Sequence, residues 1–418
     1  MNFSALAQYV DAAARPGRPV WQPLAQKALW VAAIIAVLKV MVVDPLATYG
    51  PDFDPIWNAN QKYLQGLPVY DEDYTQDFPH YLYSPGATLL LAPIGILGQR
   101  DFARWVLLLA GGLCVLLAMY ILVRCVTSTG RRTAFLAFIV ATFYYEQPVS
   151  TTLSLTNING FLLLVEVLCI VALLSALRAA RSGWWAWQRA QVRRGDVWAA
   201  GLLIGVAVTI KPQFVVLAVV PFLTGLWVSL LVAGMFMLVV FAAGWATMAQ
   251  PMDYVERLLP YLAQARDYNN GSISGIGAQL GWPDALVVGL RVVFLLMVAA
   301  AIAALWRWRH VDTTMWLLCT LGVLFCGVLM GSGLLQGYYN MWLFPMLATV
   351  LSTRSPMHSP WMWLAYAALS ASTVWWGHLP EAITAVLRWQ ASIAWVSIPL
   401  IVLVWSLRNR PATSPIHS

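Results

Sequence analysis

Charged side chains are scarce in this sequence. Of its 418 residues only 10% are Asp, Glu, Lys or Arg, whereas 60% are hydrophobic. A soluble globular domain carries about 25% charged residues, so a water-exposed surface could not be covered by so few. Helices that span a bilayer need few charges because lipid replaces water around their side chains. The composition therefore predicts an all-α polytopic membrane protein and excludes an ordinary soluble fold.

The short motifs of many soluble enzymes are also missing. The sequence contains no GxGxxG, Walker A, HExxH or GxSxG element, and no polar segment is long enough to fold as a nucleotide-binding domain. The five cysteines lie in or at the ends of apolar runs and form no CxxC pair, which argues against a disulfide framework or a zinc site. A lipid-linked substrate would suit such a chain better than a nucleotide-linked one, and we expect no cofactor.

Long apolar runs separated by charge clusters predict eleven or twelve transmembrane helices within 28–407, which we expect to form a single membrane domain. The first run follows a basic leader and lacks a small-residue cleavage site, so we interpret it as a retained span rather than a signal peptide. The predicted spans lie near 28–43, 105–123, 133–147, 159–177, 197–212, 213–227, 228–248, 284–306, 313–332, 338–352, 360–377 and 391–407.

The formal net charge of +7 resides mainly in short loops between spans, which is the pattern of orientation signals and not of a nucleic-acid surface. The positive-inside rule places the basic segments in the cytoplasm: the leader 1–27, the loops 124–132, 178–194 and 307–310, and the tail 408–418. Two loops with more acidic residues, 44–104 and 249–283, then face the outside. We expect them to carry the functional site, and we expect both termini to be cytoplasmic.

One apolar stretch, from Pro85 to Gly98, tests this orientation. At roughly fourteen residues it is short for a span, and counting it as one would place the arginine clusters outside. We therefore interpret it as a re-entrant or interfacial helix that follows an amphipathic helix over 55–66. The first outer loop is thus predicted to be a small structured unit on the membrane surface.

Two carboxylates follow the first span. Asp54 precedes Pro55, which is the expected first residue of the next helix, so Asp54 is the better candidate for an N-cap. This leaves Asp52 as the better candidate for a general base beside a cavity at membrane level. A cap at Asp52 remains the alternative.

Other polar residues near span ends are candidates because charges there are costly. His80 is either a hydrogen-bond donor to an anionic group or an interfacial histidine among tyrosines. Lys211, before Pro212, is either a fixed phosphate-binding charge or a snorkelling side chain. Further candidates, each of which could instead belong to a solvated loop or an aromatic belt, are Glu166 inside a span, Arg266, Asp267 and Asn269 in the second outer loop, and Gln336, Tyr338 and Tyr339.

Six stretches together resemble the GT-C membrane glycosyltransferases that use polyprenyl-phosphate sugars, and more narrowly the actinobacterial AftC-type arabinofuranosyltransferases of glycosyltransferase family eighty-seven. They run from near the first span almost to the last. The stretches are Asp52-Phe53 with Pro55, PHYLYSPGATLLLAP from Pro79, LTNINGFLLLVEVL from Leu155, Lys211-Pro212, LPYLAQARDYNNGSISG from Leu259 and LLQGYYNMWLFP from Leu334.

The resemblance implies a GT-C fold in the bacterial plasma membrane. It implies transfer of D-arabinofuranose from decaprenylphosphoryl-arabinose to an arabinan of arabinogalactan or lipoarabinomannan, with inversion to an α-1,3 branch. It implies Asp52 as the base and His80, Lys211 and Arg266 as ligands of the donor phosphate, with no metal. Asp54 departs from the family pattern and is secondary. Residues expected in sugar contacts or around them are Asp54, Tyr83, Asn157, Asn159, Glu166, Asp267, Asn269, Gln336, Tyr338 and Tyr339.

Two alternatives stay open. Related enzymes transfer mannose from polyprenyl-phosphate-mannose to phosphatidylinositol mannosides or lipomannan, and composition does not separate a furanose pocket from a pyranose pocket. A flippase or transporter would place Glu166 and Lys211 on an ion pathway. The sequence shows no inverted repeat or matched pair of broken helices, which disfavours transport.

Overall fold

The computed structural model describes residues 21–76, 79–127, 132–179, 184–370, 383 and 389–409. Within these residues the chain forms helices and irregular segments and no strand, as the all-α prediction required. Most of the predicted leader, Asp77, Arg131 and the tail beyond Asn409 lie outside the described residues.

We number the α-helices in chain order. The first group, which includes the two structured segments of the first outer loop, is α1 (Trp21–Leu38, which continues through a π-helical turn into the short α-helical turn Asp44–Leu46), α2 (Phe53–Leu64), α3 (Pro85–Leu91), α4 (Arg100–Val126), α5 (Arg132–Ile139), α6 (Gln147–Ser154), α7 (Asn159–Arg178), α8 (Trp184–Gln191) and α9 (Gly195–Ile210). The second group is α10 (Val219–Thr224), α11 (Trp227–Thr247), α12 (Leu259–Leu262), α13 (Ile273–Leu280), α14 (Asp284–Leu305), α15 (Thr313–Gly331), α16 (Phe344–Ala348), α17 (Pro360–Ser370) and α18 (Gln390–Arg408).

Seven helices of the described chain are long and apolar enough to cross a bilayer. Each corresponds to one of the predicted spans, so the polytopic class is confirmed. The helices are Leu24–Leu46, Arg100–Val126, Asn159–Arg178, Trp227–Thr247, Asp284–Trp308, Thr313–Gly331 and Gln390–Arg408.

The other predicted spans are shorter or broken. Arg132–Tyr144, Gly195–Ile210 and Pro212–Thr224 are apolar helices of less than span length. The predicted span 338–352 is a 3-10 turn, a single α-helical turn and another 3-10 turn, with Pro345 at the start of the α-helical part. The predicted span 360–377 extends past the described end of α17. Within the described residues, seven of the predicted spans therefore reach span length, and Pro212 and Pro345 lie where two of the others are interrupted.

The first outer loop contains two short helical segments. Helix α2 begins at Phe53, and Asp52 occupies the N-cap position without a side-chain capping bond. The prediction of a helix starting at Pro55 with Asp54 as its cap was wrong: both residues lie inside the first turn. Proline is accommodated there because the first amide groups of a helix have no intrahelical acceptor. The stretch Pro85–Leu97 is a short apolar helix, as expected, and runs from α-helical to 3-10 geometry at Ala92.

Helix α15 is the centre of the bundle, with 83% of its span window buried, whereas α11 and α14 bury only 17% of theirs. Helices α4 and α7 approach closely at Gly111 and Gly160, where a Cβ atom on residue 160 would lie 2.7 Å from the Gly111 carbonyl oxygen. Small residues permit this approach between spanning helices. The contact fixes the first turn of α7, which carries Asn159.

Helix α7 has polar groups at both ends. Its first residue, Asn159, contacts Lys211, and its last residue, Arg178, contacts Thr314 at the start of α15. Nineteen residue steps at 1.5 Å separate these ends by roughly 28 Å, which is close to the thickness of a bilayer core. The bundle thus presents two distinct polar ends.

Candidate active site

Asp52 lies where three distant parts of the chain meet. Its Oδ2 accepts hydrogen bonds from the Asn157 amide and the Tyr338 hydroxyl, both at 3.3 Å. Asn157 precedes α7, and Tyr338 belongs to the 3-10 segment Gly337–Leu343. The carboxylate is therefore oriented by two neutral donors from distant parts of the chain.

Lys211 lies beside this carboxylate. Its Nζ donates a 2.6 Å hydrogen bond to Oδ1 of Asn159 and lies 4.6 Å from the centre of the Tyr339 ring and 5.4 Å from that of Trp342. Tyr339 and Trp342 stack at 4.5 Å, so they form one aromatic wall under the ammonium group. Burial lowers the pKa of the Lys211 ammonium group to about 7, while the Asp52 charge raises it. A bound anion would therefore favour the charged form of this side chain.

Arg266 supplies the second positive charge. Its guanidinium lies 5.5 Å from the Tyr261 ring and 5.9 Å from the Tyr268 ring. The loop that carries it is fixed by Asn270, a buried residue whose Nδ2 donates to the carbonyl groups of Arg266 (3.1 Å) and Gly333 (2.7 Å).

The electrostatic balance at Asp52 combines opposing effects. Burial raises the pKa of the Asp52 carboxyl above its ordinary value, while the Asn157 hydrogen bond, the Lys211 charge, the Tyr338 hydrogen bond and the Arg266 charge each lower it. Burial is the largest of these effects. The site therefore holds a carboxylate whose basicity is increased by partial removal from water, close to two cations.

His80 is buried in a separate part of the outer loop. Its Nδ1 lies 3.1 Å from Oε2 of Glu72, and its Nε2 lies 2.9 Å from the Gln76 carbonyl oxygen. Tyr74 and Tyr261 pack around the ring at centroid distances of 5.0 and 5.3 Å. Both ring nitrogens are thus engaged within the protein, so contact with a phosphate requires one of these bonds to be exchanged.

Arg104 was missed by the sequence analysis, although it holds the site together. This buried arginine donates to the Pro45 carbonyl at 2.9 Å and to the hydroxyls of Thr48 and Thr156 at 3.3 Å. Thr156 has a left-handed backbone, with φ of 56°, directly before Asn157. Arg104 therefore ties the chain before Asp52 to the chain before Asn157. A charge directly before the predicted span 105–123 was the available signal.

The other predicted residues divide by their surroundings. Burial is the main cause that raises the Tyr83 pKa, and the interactions with Tyr81, Tyr339 and Asp52 raise it further. The contribution of Asp52 shows that Tyr83 lies near the cluster. Glu166 is fully buried in α7, and neither carboxylate oxygen has a hydrogen-bond partner within the described residues. Asp267 and Asn269 are exposed. Gln336 stands at the N-cap of the 3-10 segment without a side-chain capping bond.

Asp54 faces away from the cluster. Its Oδ1 accepts a 2.6 Å hydrogen bond from Nε of Arg100, which also donates to the Tyr49 carbonyl at 2.6 Å. Within the part of the chain that the structure describes, no three His, Cys, Asp or Glu side chains lie together as metal ligands would. The expectation that the site works without a metal stays a prediction.

A half-buried carboxylate that faces two cations can remove a proton from a hydroxyl while a negatively charged leaving group is held nearby. Together with the fold, this cluster defines a polytopic membrane enzyme whose candidate polar site lies at one end of a helical bundle.

Comparison with known proteins places the enzyme in its family. The profile of glycosyltransferase family 87 matches residues 81–333, which is more than half of the chain. The chain belongs to this family and is a membrane glycosyltransferase. The predicted family is thereby confirmed.

Curated relatives extend the match over most of the chain. The α-(1→3)-arabinofuranosyltransferase of Corynebacterium glutamicum is 31% identical over 414 residues, covering 97% of this chain and 93% of that protein. Proteins of the same name in Mycobacterium tuberculosis and Mycolicibacterium smegmatis are 34% and 35% identical, covering 90% and 88% of this chain and 84% and 82% of their own lengths. No solved structure gives a significant match.

Proposed function

We propose that this glycosyltransferase transfers D-arabinofuranose from decaprenylphosphoryl-arabinose to an arabinan acceptor, forming an α-1,3 linkage, with Asp52 as the general base. The observation that carries this proposal is the geometry of Asp52, whose carboxylate has neutral donors on one oxygen and two cations in electrostatic range. The shared name of the relatives supports the choice of arabinose and of the linkage.

Asp52 has one oxygen left for chemistry. Asn157 and Tyr338 both donate to Oδ2, and within the described residues Oδ1 makes no hydrogen bond. An acceptor hydroxyl that hydrogen bonds to Oδ1 can pass its proton to the carboxylate as its oxygen attacks the anomeric carbon. Burial increases the basicity of the group that receives this proton.

Lys211 and Arg266 act on the leaving group. When the bond between the anomeric carbon and the phosphate oxygen breaks, the prenyl phosphate gains negative charge, and fixed cations favour its departure. Attack from the face opposite the leaving phosphate inverts a β-linked donor to an α-linked product, so a single carboxylate suffices. His80 is proposed as a further phosphate ligand that exchanges one of its present bonds on donor binding.

The test uses purified full-length protein, synthetic decaprenylphosphoryl-arabinose and a linear arabinofuranoside, with linkage analysis of the product. We expect an α-1,3 branch from wild type. Asp52→Asn should reduce the rate by about 10²–10⁴-fold, the usual contribution of a general base. Near-full activity of that variant would reject Asp52 as the base. Transfer from polyprenyl-phosphate-mannose in place of the arabinose donor would support the mannosyltransferase alternative.

We also propose that Asp52 lies at the external face of the bacterial plasma membrane. The basic residues Arg124, Arg178 and Arg194 lie at the opposite end of the bundle and support this orientation. In a cysteine-free background, the exposed positions Asp73 and Arg193 would be replaced by cysteine one at a time. An impermeant maleimide should label D73C in intact cells and R193C only after permeabilisation. The reverse pattern would overturn the orientation.

A further inference from the structure

A groove opens at the end of the bundle opposite Asp52. It lies between the last turns of α4 and α7 and the start of α9, and its cavity volume is about 740 Å³. This volume is in the range of sites that hold organic ligands. Three arginines and an apolar wall line it, and the lining residues used below are Arg124, Arg178, Arg194, Leu168 and Val171.

The arginines carry excess positive charge. Arg194 is paired with Asp196, whereas within the described residues neither Arg124 nor Arg178 has a carboxylate within ion-pair distance. Arg124 donates to the Tyr120 hydroxyl at 3.2 Å, and Arg178 donates to the Thr314 hydroxyl at 2.9 Å. Positive charge at a helix C-terminus complements the helix dipole, but a dipole does not account for two such arginines facing one cavity.

The apolar wall continues from the arginines toward the middle of the bilayer. Leu168 and Val171 of α7 are each 37% exposed and line the groove, and they precede Arg178 by about three and two helical turns. Trp185 of α8, in the same predicted cytoplasmic loop as Arg178 and Arg194, is 76% exposed, as is typical of a side chain at the membrane–water interface. The groove thus has a cationic end at headgroup level and an apolar end at acyl-chain level.

We propose that this groove binds an anionic phospholipid. The lipid phosphate lies between Arg124 and Arg178, and one acyl chain runs along Leu168 and Val171. Basic pockets between membrane helices are suited to such headgroups, because the cations neutralise the phosphate where water is partly excluded. A soluble acidic peptide could pair with Arg124 and Arg178, but it would leave the apolar wall of Leu168 and Val171 without a contact. The proposal does not depend on which sugar the enzyme transfers.

The test measures lipid retention by the purified full-length protein. The detergent-purified protein is equilibrated with an equimolar mixture of phosphatidylglycerol and phosphatidylcholine, and the retained lipid is counted by native mass spectrometry. We expect wild type to retain phosphatidylglycerol preferentially. The double variant Arg124→Gln with Arg178→Gln should bind it about 30-fold more weakly, while added inorganic phosphate should not displace it.

Two further variants separate the groove from general surface charge. Arg193→Gln with Arg408→Gln removes the same charge from exposed positions outside the groove lining and should retain phosphatidylglycerol like wild type. Leu168→Trp fills the apolar wall without changing charge and should lower retention. Equal losses in the two double variants, or unchanged retention in Leu168→Trp, would overturn the proposal.

A measurement on wild type covers the case in which a variant fails to fold. Phosphatidylglycerol with a photoreactive group in its acyl chain should crosslink to peptides that contain 168–175 and 120–125 in preference to other membrane-facing peptides. Crosslinks spread evenly over the exposed spans α11 and α14, without enrichment at these two segments, would contradict a defined lipid site.

Discussion

Asp52 and Asp54 are two residues apart in sequence but lie in opposite environments. Asp52 faces the bundle, where its carboxylate meets two neutral donors and lies in the field of two cations. Asp54 faces outward and forms an ion pair with Arg100, in which both side chains are about one-third exposed. The helix start at Phe53 separates them, since residues two positions apart on a helix do not share a face.

The difference shows which environment favours proton transfer. A carboxylate in direct contact with an arginine is stabilised as an anion and accepts a proton poorly. A partly buried carboxylate that is held by neutral donors accepts one more readily, and nearby cations can act on a separate anion. The same residue type is therefore suited to a structural contact at position 54 and to catalysis at position 52.

The largest expected effect separates these two carboxylates directly. Asp52→Asn should lower kcat by about 10²–10⁴-fold because it removes the general base, with donor affinity largely retained. The matched variant Asp54→Asn should keep activity close to that of wild type. Initial rates at saturating donor, together with donor titration, measure both effects. Equal losses of activity in the two variants would contradict the assignment of Asp52, rather than Asp54, as the general base.

Lys211 should give the next largest effect, and mainly on donor binding. Lys211→Gln replaces a fixed cation by a neutral group and should weaken donor affinity about 10- to 100-fold, the usual worth of a charged hydrogen bond. Lys62→Gln is the matched control, because that lysine pairs with Asp71 on the loop surface. A fall in kcat with unchanged donor affinity would argue against phosphate binding by Lys211.

Much of the fold followed from the sequence because long apolar runs have one stable form in a bilayer. The short helix Pro85–Leu97 was anticipated from its length alone. The break at Lys211-Pro212 was also anticipated, since the predicted spans 197–212 and 213–227 meet there. What could not be anticipated was that both segments are shorter than a span and that the second begins in 3-10 geometry. That break places the ammonium group beside Asn159.

The candidate site was only partly predictable because it is assembled from distant segments. Asp52 accepts hydrogen bonds from residues 105 and 286 positions away along the chain. Local sequence indicated that Asp52 was unusual, but it could not show which donors it meets. Similarly, Asn269 and its neighbour Asn270 look equivalent in sequence. The left-handed backbone at Asn269, with φ of 45°, turns that residue outward and leaves Asn270 to fix the loop.

Asn157 offers a way to sharpen the argument through pH. A general base works when deprotonated, so kcat/KM should rise with pH through the Asp52 pKa, which burial raises above its ordinary value. The Asn157 hydrogen bond lowers this pKa. Asn157→Ala should therefore move the acidic limb of the kcat/KM profile to higher pH and lower the rate at acidic pH about tenfold. Asn409→Ala, at the far end of the bundle, should leave the limb in place. A shift to lower pH would contradict the assignment.

The smallest expected effect concerns the outward-facing ion pair. Arg100→Gln removes the partner of Asp54, but a partly exposed ion pair contributes only roughly 0–1 kcal/mol, so thermal stability should fall slightly and activity should change by less than about fivefold.

Arg104→Gln is the informative contrast at the next turn of α4, because that buried side chain joins the segments that carry Asp52 and Asn157. Its loss should reduce kcat. It should also move the acidic limb of the kcat/KM profile, because the surroundings of the Asp52 carboxyl group change. If Arg100→Gln instead disabled the enzyme and Arg104→Gln did not, the outward face of the first outer loop would be the one that matters for transfer.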